Sequence, residues 1–263
     1  MDSARVTLEV RNHIGYVTLN RPDKHNALDM AMFIAIDNVI SQIKRDKTIR
    51  VVIVNGAGES FCSGLDIKSV LSSAGNAFRL LFKWLPGNAN LAQRVTVGWR
   101  RLKVPVIMVL HGKCWGGGMQ IALGADFRIA SSDCSLSIME SRWGLIPDMG
   151  GTLGLRECVA NDHATKLAMT SETLSADEAH NIGLITTVND QPMHAAETLA
   201  QQLISRSPDA ISTIKRIYHK IWCRHERRIL AAESINQIRV ILGKNQRIAV
   251  KREMGHTNAE YKL

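Results

Sequence analysis

The chain has no apolar run long enough to cross a bilayer, which excludes a membrane-spanning helix. Its start, Met1-Asp2-Ser3-Ala4-Arg5, lacks the apolar stretch of a signal peptide and the Arg/Ser-rich character of a transit peptide. A cytoplasmic protein with no membrane partner is the expectation. The 5 cysteines are odd in number, scattered and without a CxxC pair, which argues against a disulfide framework and a zinc site. The 9 histidines form neither HxxxH nor HExxH, so metal chemistry has no pattern behind it. Proline (6) and glycine (19) are too few for a disordered chain of 263 residues.

What is present suits one large domain, or a domain with a smaller helical part, because 45% of the residues are apolar. The formal charge of +9 attracts anions in general. Nucleic acid, an acidic membrane surface and a phosphate-rich small molecule all fit it equally.

The first half reads as strands alternating with helices, the pattern of an α/β fold. Val6, Leu8 and Val10 alternate with polar neighbours, and Ile14 to Leu19 forms a second strand. Asp29 is placed to cap a helix running to about Lys44, with Met32, Ile36, Val39, Ile40 and Ile43 on one face. Val51–Val54, Val104–Leu110 and Phe127–Ala130 read as strands of the kind covered on both sides. Ser175-Ala176-Asp177-Glu178 has capping-box spacing and predicts a helix start. Ile185 to Val188 reads as a last short strand. From Ala195 to about Met254 the pattern is helical, broken near Ser207-Pro208 and Gly243.

Three segments carry candidate chemistry. Gly58-Glu59-Ser60-Phe61-Cys62-Ser63-Gly64-Leu65-Asp66 follows one buried strand, and its small residues let backbone N–H groups point at a ligand. His111-Gly112-Lys113-Cys114-Trp115-Gly116-Gly117-Gly118-Met119-Gln120 follows the next strand and opens a helix; its glycine run permits close backbone approach. It is neither a Walker loop nor the Rossmann GxGxxG. Met139 to Gly151 sets Glu140 and Asp148 among apolar residues and turn-formers, where desolvation raises a carboxylate's proton affinity toward the working range of an acid or base. Each alone reads equally as a turn, a packing point or a surface charge. Trp115 and Trp143 either narrow a pocket beside these residues or fill core, and core filling is the plainer account.

In this order the motifs Asn20-Arg21-Pro22-Asp23-Lys24-His25-Asn26-Ala27-Leu28, Phe61 to Asp66, Gly116-Gly117-Gly118 and Pro147-Asp148-Met149-Gly150-Gly151-Thr152 resemble the enoyl-CoA hydratase/isomerase, or crotonase, family over nearly the whole chain. The resemblance implies a crotonase-like α/β spiral of repeated ββα units over residues 1–205. A helical C-terminal region, 206–263, would serve trimer assembly, with trimers stacking into a hexamer. It implies an acyl-CoA thioester as substrate, with coenzyme A part of that substrate and no separate cofactor. It assigns the oxyanion hole to the backbone N–H groups of Ser63 and Gly117. Lys24, His25, Ser63, Leu65 and Asp66 would lie along the CoA path, and Lys251 and Arg252 would reach CoA from a neighbouring subunit.

The resemblance also frames the reaction. The family's hydratases hold water between two glutamates; here one position is Glu140 but the other is Gln120, an amide that neither gives nor takes a proton. Asp148 stands where hydratases have glycine and dienoyl-CoA isomerases have aspartate. Glu140, alone or with Asp148, therefore points to a double-bond shift in an enoyl- or dienoyl-CoA. A hydratase in which Gln120 orders the water is the alternative. Two non-catalytic readings stand beside these: an acyl-CoA-binding protein without turnover, and an RNA-binding protein. The latter would use Lys215, Arg216, His219, Lys220, Arg224, His225, Arg227 and Arg228, interleaved with Tyr218 and Trp222; a solvated face or subunit interface is the plainer account of that cluster.

Overall fold

A computed structural model describes residues 4–70, 74–222 and 226–255. Strands β1 (Val6–Arg11) and β2 (Ile14–Leu19) form an antiparallel hairpin. Helix α1 (Met30–Arg45) follows, and Asp29 caps it as predicted, its Oδ1 accepting from Met32 N at 2.7 Å. Next come β3 (Val51–Gly56), α2 (Ile67–Val70), α3 (Ala74–Leu81) and α4 (Leu91–Arg100). Then β4 (Val106–Leu110) leads to β5 (Lys113–Trp115) and α5 (Gly117–Ala122). The chain continues through β6 (Phe127–Ala130), β7 (Ser135–Ser137), a 3-10 turn at Glu140–Trp143, α6 (Gly151–Cys158) and α7 (Asn161–Thr170). After β8 (Thr173–Ser175), α8 (Ala176–Asn181) and β9 (Thr187–Val188), four helices close it: α9 (Pro192–Ile204), α10 (Pro208–Trp222), α11 (Glu226–Leu242) and α12 (Lys244–Glu253).

One sheet runs β1-β2-β3-β4-β6-β9, parallel beyond the first hairpin, and a smaller one runs β5-β7-β8. The apolar run of β3 is explained by cover on both faces. Val52 and Val54 belong to the large core cluster that also holds Met32, Phe33 and Ile36 of α1, whereas Val51 and Ile53 belong to a second cluster with Ala196 and Ala200 of α9. Each buried aliphatic side chain is worth roughly 1.5–3 kcal/mol relative to exposure. The chain alternates between the sheets where β4 passes to β5 and β6 passes to β7 before helices return it.

Differences from the predicted elements have local causes. The fourth strand starts at Val106, not Val104, since Pro105 has no N–H to give a ladder. The last strand shrinks to Thr187–Val188 because Leu184 and Ile185 N–H groups close back on Ala179 O. Ser175 does form its capping box with Glu178. Within the basic cluster Lys215 is not on a solvated face but buried against Asp126; Arg224 and His225, and the side chains of Lys220, Trp222 and Arg228, lie outside the described residues. Trp115 and Trp143 are half-buried, so neither is a core residue. No helix among the described residues is long and apolar enough to cross a membrane, and none of their His, Cys, Asp and Glu side chains gather in groups of three or more that suit a metal.

Candidate active site

The candidate segments follow β3, β4 and β7, and two isolated bridges tie the first two loops together. Leu28 pairs with Leu65 as an isolated parallel bridge, and Cys62 pairs with Cys114. The bridge decides which amides are free. Leu28 N donates to Gly64 O at 2.8 Å, and Asp66 N donates to Leu28 O at 3.1 Å. The Leu65 N–H between them is turned to the other side, as the slanted bonds of a parallel pair require. Gly64 makes that turn at φ +98°, a left-handed conformation that a side chain resists. A Cβ on Gly64 would stand 3.5 Å from Gly117 N, so the two loops are in contact at this point.

Ser63 is therefore corrected as an oxyanion donor. Its N–H donates to His25 O at 2.9 Å and is not available to a ligand. Among the described residues, the N–H groups of Leu65 and Gly117 have no hydrogen-bond partner. Gly117 is the first residue of α5, where the N–H has no partner within the helix. Gly118 keeps the loops close, because a Cβ there would meet Cys62 O at 2.4 Å.

Glu140 sits beside this pair. A Cβ on Gly116 would lie 3.7 Å from Glu140 Oε1. Gln120 Nε2 donates to that Oε1 at 2.5 Å. The amide cannot turn round, because its own oxygen accepts from Met149 N at 2.8 Å and from Gly151 N at 3.4 Å. The other carboxylate oxygen, Glu140 Oε2, is buried and without a partner among the described residues. Burial pushes the Glu140 carboxyl above its usual range, and the Gln120 hydrogen bond only partly offsets this.

The remaining candidates divide. Asp148 is half-buried and lies next to Met149, whose N–H holds Gln120. Asp66 has its carboxylate in an ion pair with Arg21 at 2.9 Å and accepts from Ser69 N, so its side chain is structural. His25 adopts a left-handed backbone, and its ring lies between Ser60 Oγ at 3.1 Å and Lys113 Nζ at 3.4 Å. Lys24 is exposed nearby. Lys251 is exposed on α12, which packs against the 140–143 turn, and the Arg252 side chain is outside the described residues. The clamp of Met149 N and Gly151 N on Gln120 had no sequence signal beyond the glycine at 151.

Free backbone donors next to a desolvated carboxylate suit a reaction in which negative charge grows on one oxygen while a proton is lifted nearby. On this spiral α/β scaffold such a site defines a class of enzyme that stabilises an oxyanion while a carboxylate moves a proton. The profile of the enoyl-CoA hydratase/isomerase family matches residues 9–257. The short-chain-enoyl-CoA hydratase of Clostridium acetobutylicum is 34% identical over 84% of this chain and 83% of its own. An enoyl-CoA hydratase structure from Mycobacterium avium subsp. paratuberculosis superimposes with a TM-score of 0.84 at 23% identity, covering 99% of each chain. A monofunctional enoyl-CoA isomerase structure from M. smegmatis gives a TM-score of 0.69 at 26% identity over 84% of this chain and 94% of that one. The chain belongs to the enoyl-CoA hydratase/isomerase family.

Proposed function

We propose that this enzyme moves a double bond in an enoyl-CoA, with Glu140 as the single proton carrier. The observation that carries the reading is Gln120: its orientation is fixed by Met149 N, and it presents an amide, not a second carboxylate, to Glu140. Glu140 Oε2 takes a proton from C2 of a 3-enoyl thioester. The C–H electrons move into the thioester carbonyl, and the resulting dienolate oxygen is held by the N–H groups of Leu65 and Gly117. The same carboxyl returns the proton at C4, giving the 2-enoyl thioester. Each such donor is worth roughly 2.7–4 kcal/mol when aimed at developing charge. With a dienoyl-CoA, Asp148 is the candidate for protonation further along the chain. His25, Lys24, Leu65 and Lys251 are proposed to line the CoA path; Asp66 shapes it through Arg21.

Hydration is the second reading, favoured by the hydratase relative from Clostridium acetobutylicum. There Gln120 Nε2 would hold the water that Glu140 activates. A panel of 2-enoyl-, 3-enoyl- and dienoyl-CoA thioesters with product identification separates the two. Conversion of 3-enoyl- to 2-enoyl-CoA is expected. Rapid formation of 3-hydroxyacyl-CoA from crotonyl-CoA, with no positional isomer made, overturns the isomerase assignment.

A further inference from the structure

A cavity of about 430 Å3 lies between α10 and the body of the fold, and no residue of the Glu140 site lines it. Its size falls in the range of small-ligand sites, roughly 300–1,000 Å3. Leu123, Phe127, Leu203 and Ile214 contribute apolar wall. Three cations also line it, and each is at least nine-tenths buried: Arg100, Arg128 and Lys215.

Two of the three are neutralised. Arg100 meets Glu157 through both guanidinium arms, at 2.7 and 2.5 Å. Lys215 meets Asp126 at 2.7 Å. Arg128 differs. Its Nε donates to Leu184 O at 2.9 Å and its Nη1 to Ala125 O at 3.0 Å. Those carbonyls satisfy two donors without cancelling the charge. Among the described residues Arg128 has no carboxylate partner, and its Nη2 has no partner at all. A guanidinium does not lose its proton in a protein. A buried cation that cannot be discharged favours any anion able to reach it.

We propose that this cavity binds a carboxylate with an apolar body, such as a medium-chain fatty-acid anion, anchored by Arg128. The open Nη2 group can donate to a carboxylate, and the aliphatic walls suit a hydrocarbon tail better than a phosphate. The site is separate from the one that takes the thioester.

Isothermal titration of the full chain with decanoate tests it, run with and without saturating decanoyl-CoA. The expected result is saturable one-to-one binding that decanoyl-CoA leaves unchanged. Decanol, which has the tail without the charge, is expected to bind at least tenfold more weakly. Arg128→Met is expected to lower decanoate affinity at least tenfold. Ile214→Trp, at a half-exposed position on the cavity rim, narrows the space and weakens binding without touching the guanidinium. No saturable binding, displacement by decanoyl-CoA, or equal affinity for decanol overturns the proposal. Unchanged affinity in Ile214→Trp does so even where Arg128→Met fails to fold.

Discussion

Two enclosed carboxylates in this molecule behave in opposite ways. Glu140 and Asp126 both lose water on folding, and burial raises the proton affinity of each. Glu140 faces the neutral amide of Gln120, keeps one oxygen without a partner and stays above its ordinary range. Asp126 is likewise opposed by burial, but Lys215 Nζ at 2.7 Å and His219 at 3.3 Å outweigh it and hold the group at about 2. Desolvation is common to both; the charge of the nearest partner decides whether the carboxylate keeps a raised proton affinity or is held ionised. Asp126 also accepts from Val106 N, so it ties the first residue of β4 to α10.

The comparison can be broken at either end. The largest effect is expected from Glu140→Gln, which keeps shape and hydrogen bonding but removes the base. Turnover of the best thioester falls between about a hundredfold and ten-thousandfold, while circular dichroism and substrate affinity stay near those of the parent. A fall below threefold means that Glu140 is not the proton carrier. Next comes Lys215→Met, which strands a buried charge and is expected to cost about 3–5 kcal/mol in urea unfolding. Adding Asp126→Asn recovers most of that loss, because the amide oxygen still accepts from Val106 N. If the double variant is no more stable than the single one, the pair is not coupled.

Acid sharpens the contrast. Asp126 goes from an ordinary 3.8 to about 2 on folding. Its contribution, about 2 kcal/mol by linkage, is present above pH 3.8 and is lost as pH falls through about 2. Urea midpoints of parent and Asp126→Asn measured from pH 6 to 2 should converge at the acid end. Glu140 has the reverse sign: its raised proton affinity opposes folding at neutral pH, and that penalty disappears as the group is protonated. The smallest effect is expected at Gln120→Leu. Losing the hydrogen bond that favours the ionised form should move the acidic limb of the kcat profile upward by about one pH unit, since such a bond is worth about 1.5 kcal/mol. A limb that does not move would assign Gln120 to packing alone.

The regular elements of the fold were largely legible from pattern. The Asp29 cap, the α1 face and the β3 run depend on residues close in sequence. Ser63 was misread as a donor for a different reason. Which amide of Ser63-Gly64-Leu65 is free depends on His25 and Leu28, some forty residues away, and no local pattern shows that pairing. Lys215 was misread likewise: among Arg216 and His219 it looks like surface charge, and only the packing of α10 on the β4 and β6 ends gives it Asp126.

Sequence by itself determined the periodicities, the caps, the glycine turns and the family, because these are written in neighbouring residues and in motif order. Tertiary structure alone decided which backbone donors remain open, which oxygen of Glu140 is unpartnered and which lysine is buried. Those outcomes depend on hydrogen bonds and desolvation between segments distant in the chain, and both exist only once the spiral has closed.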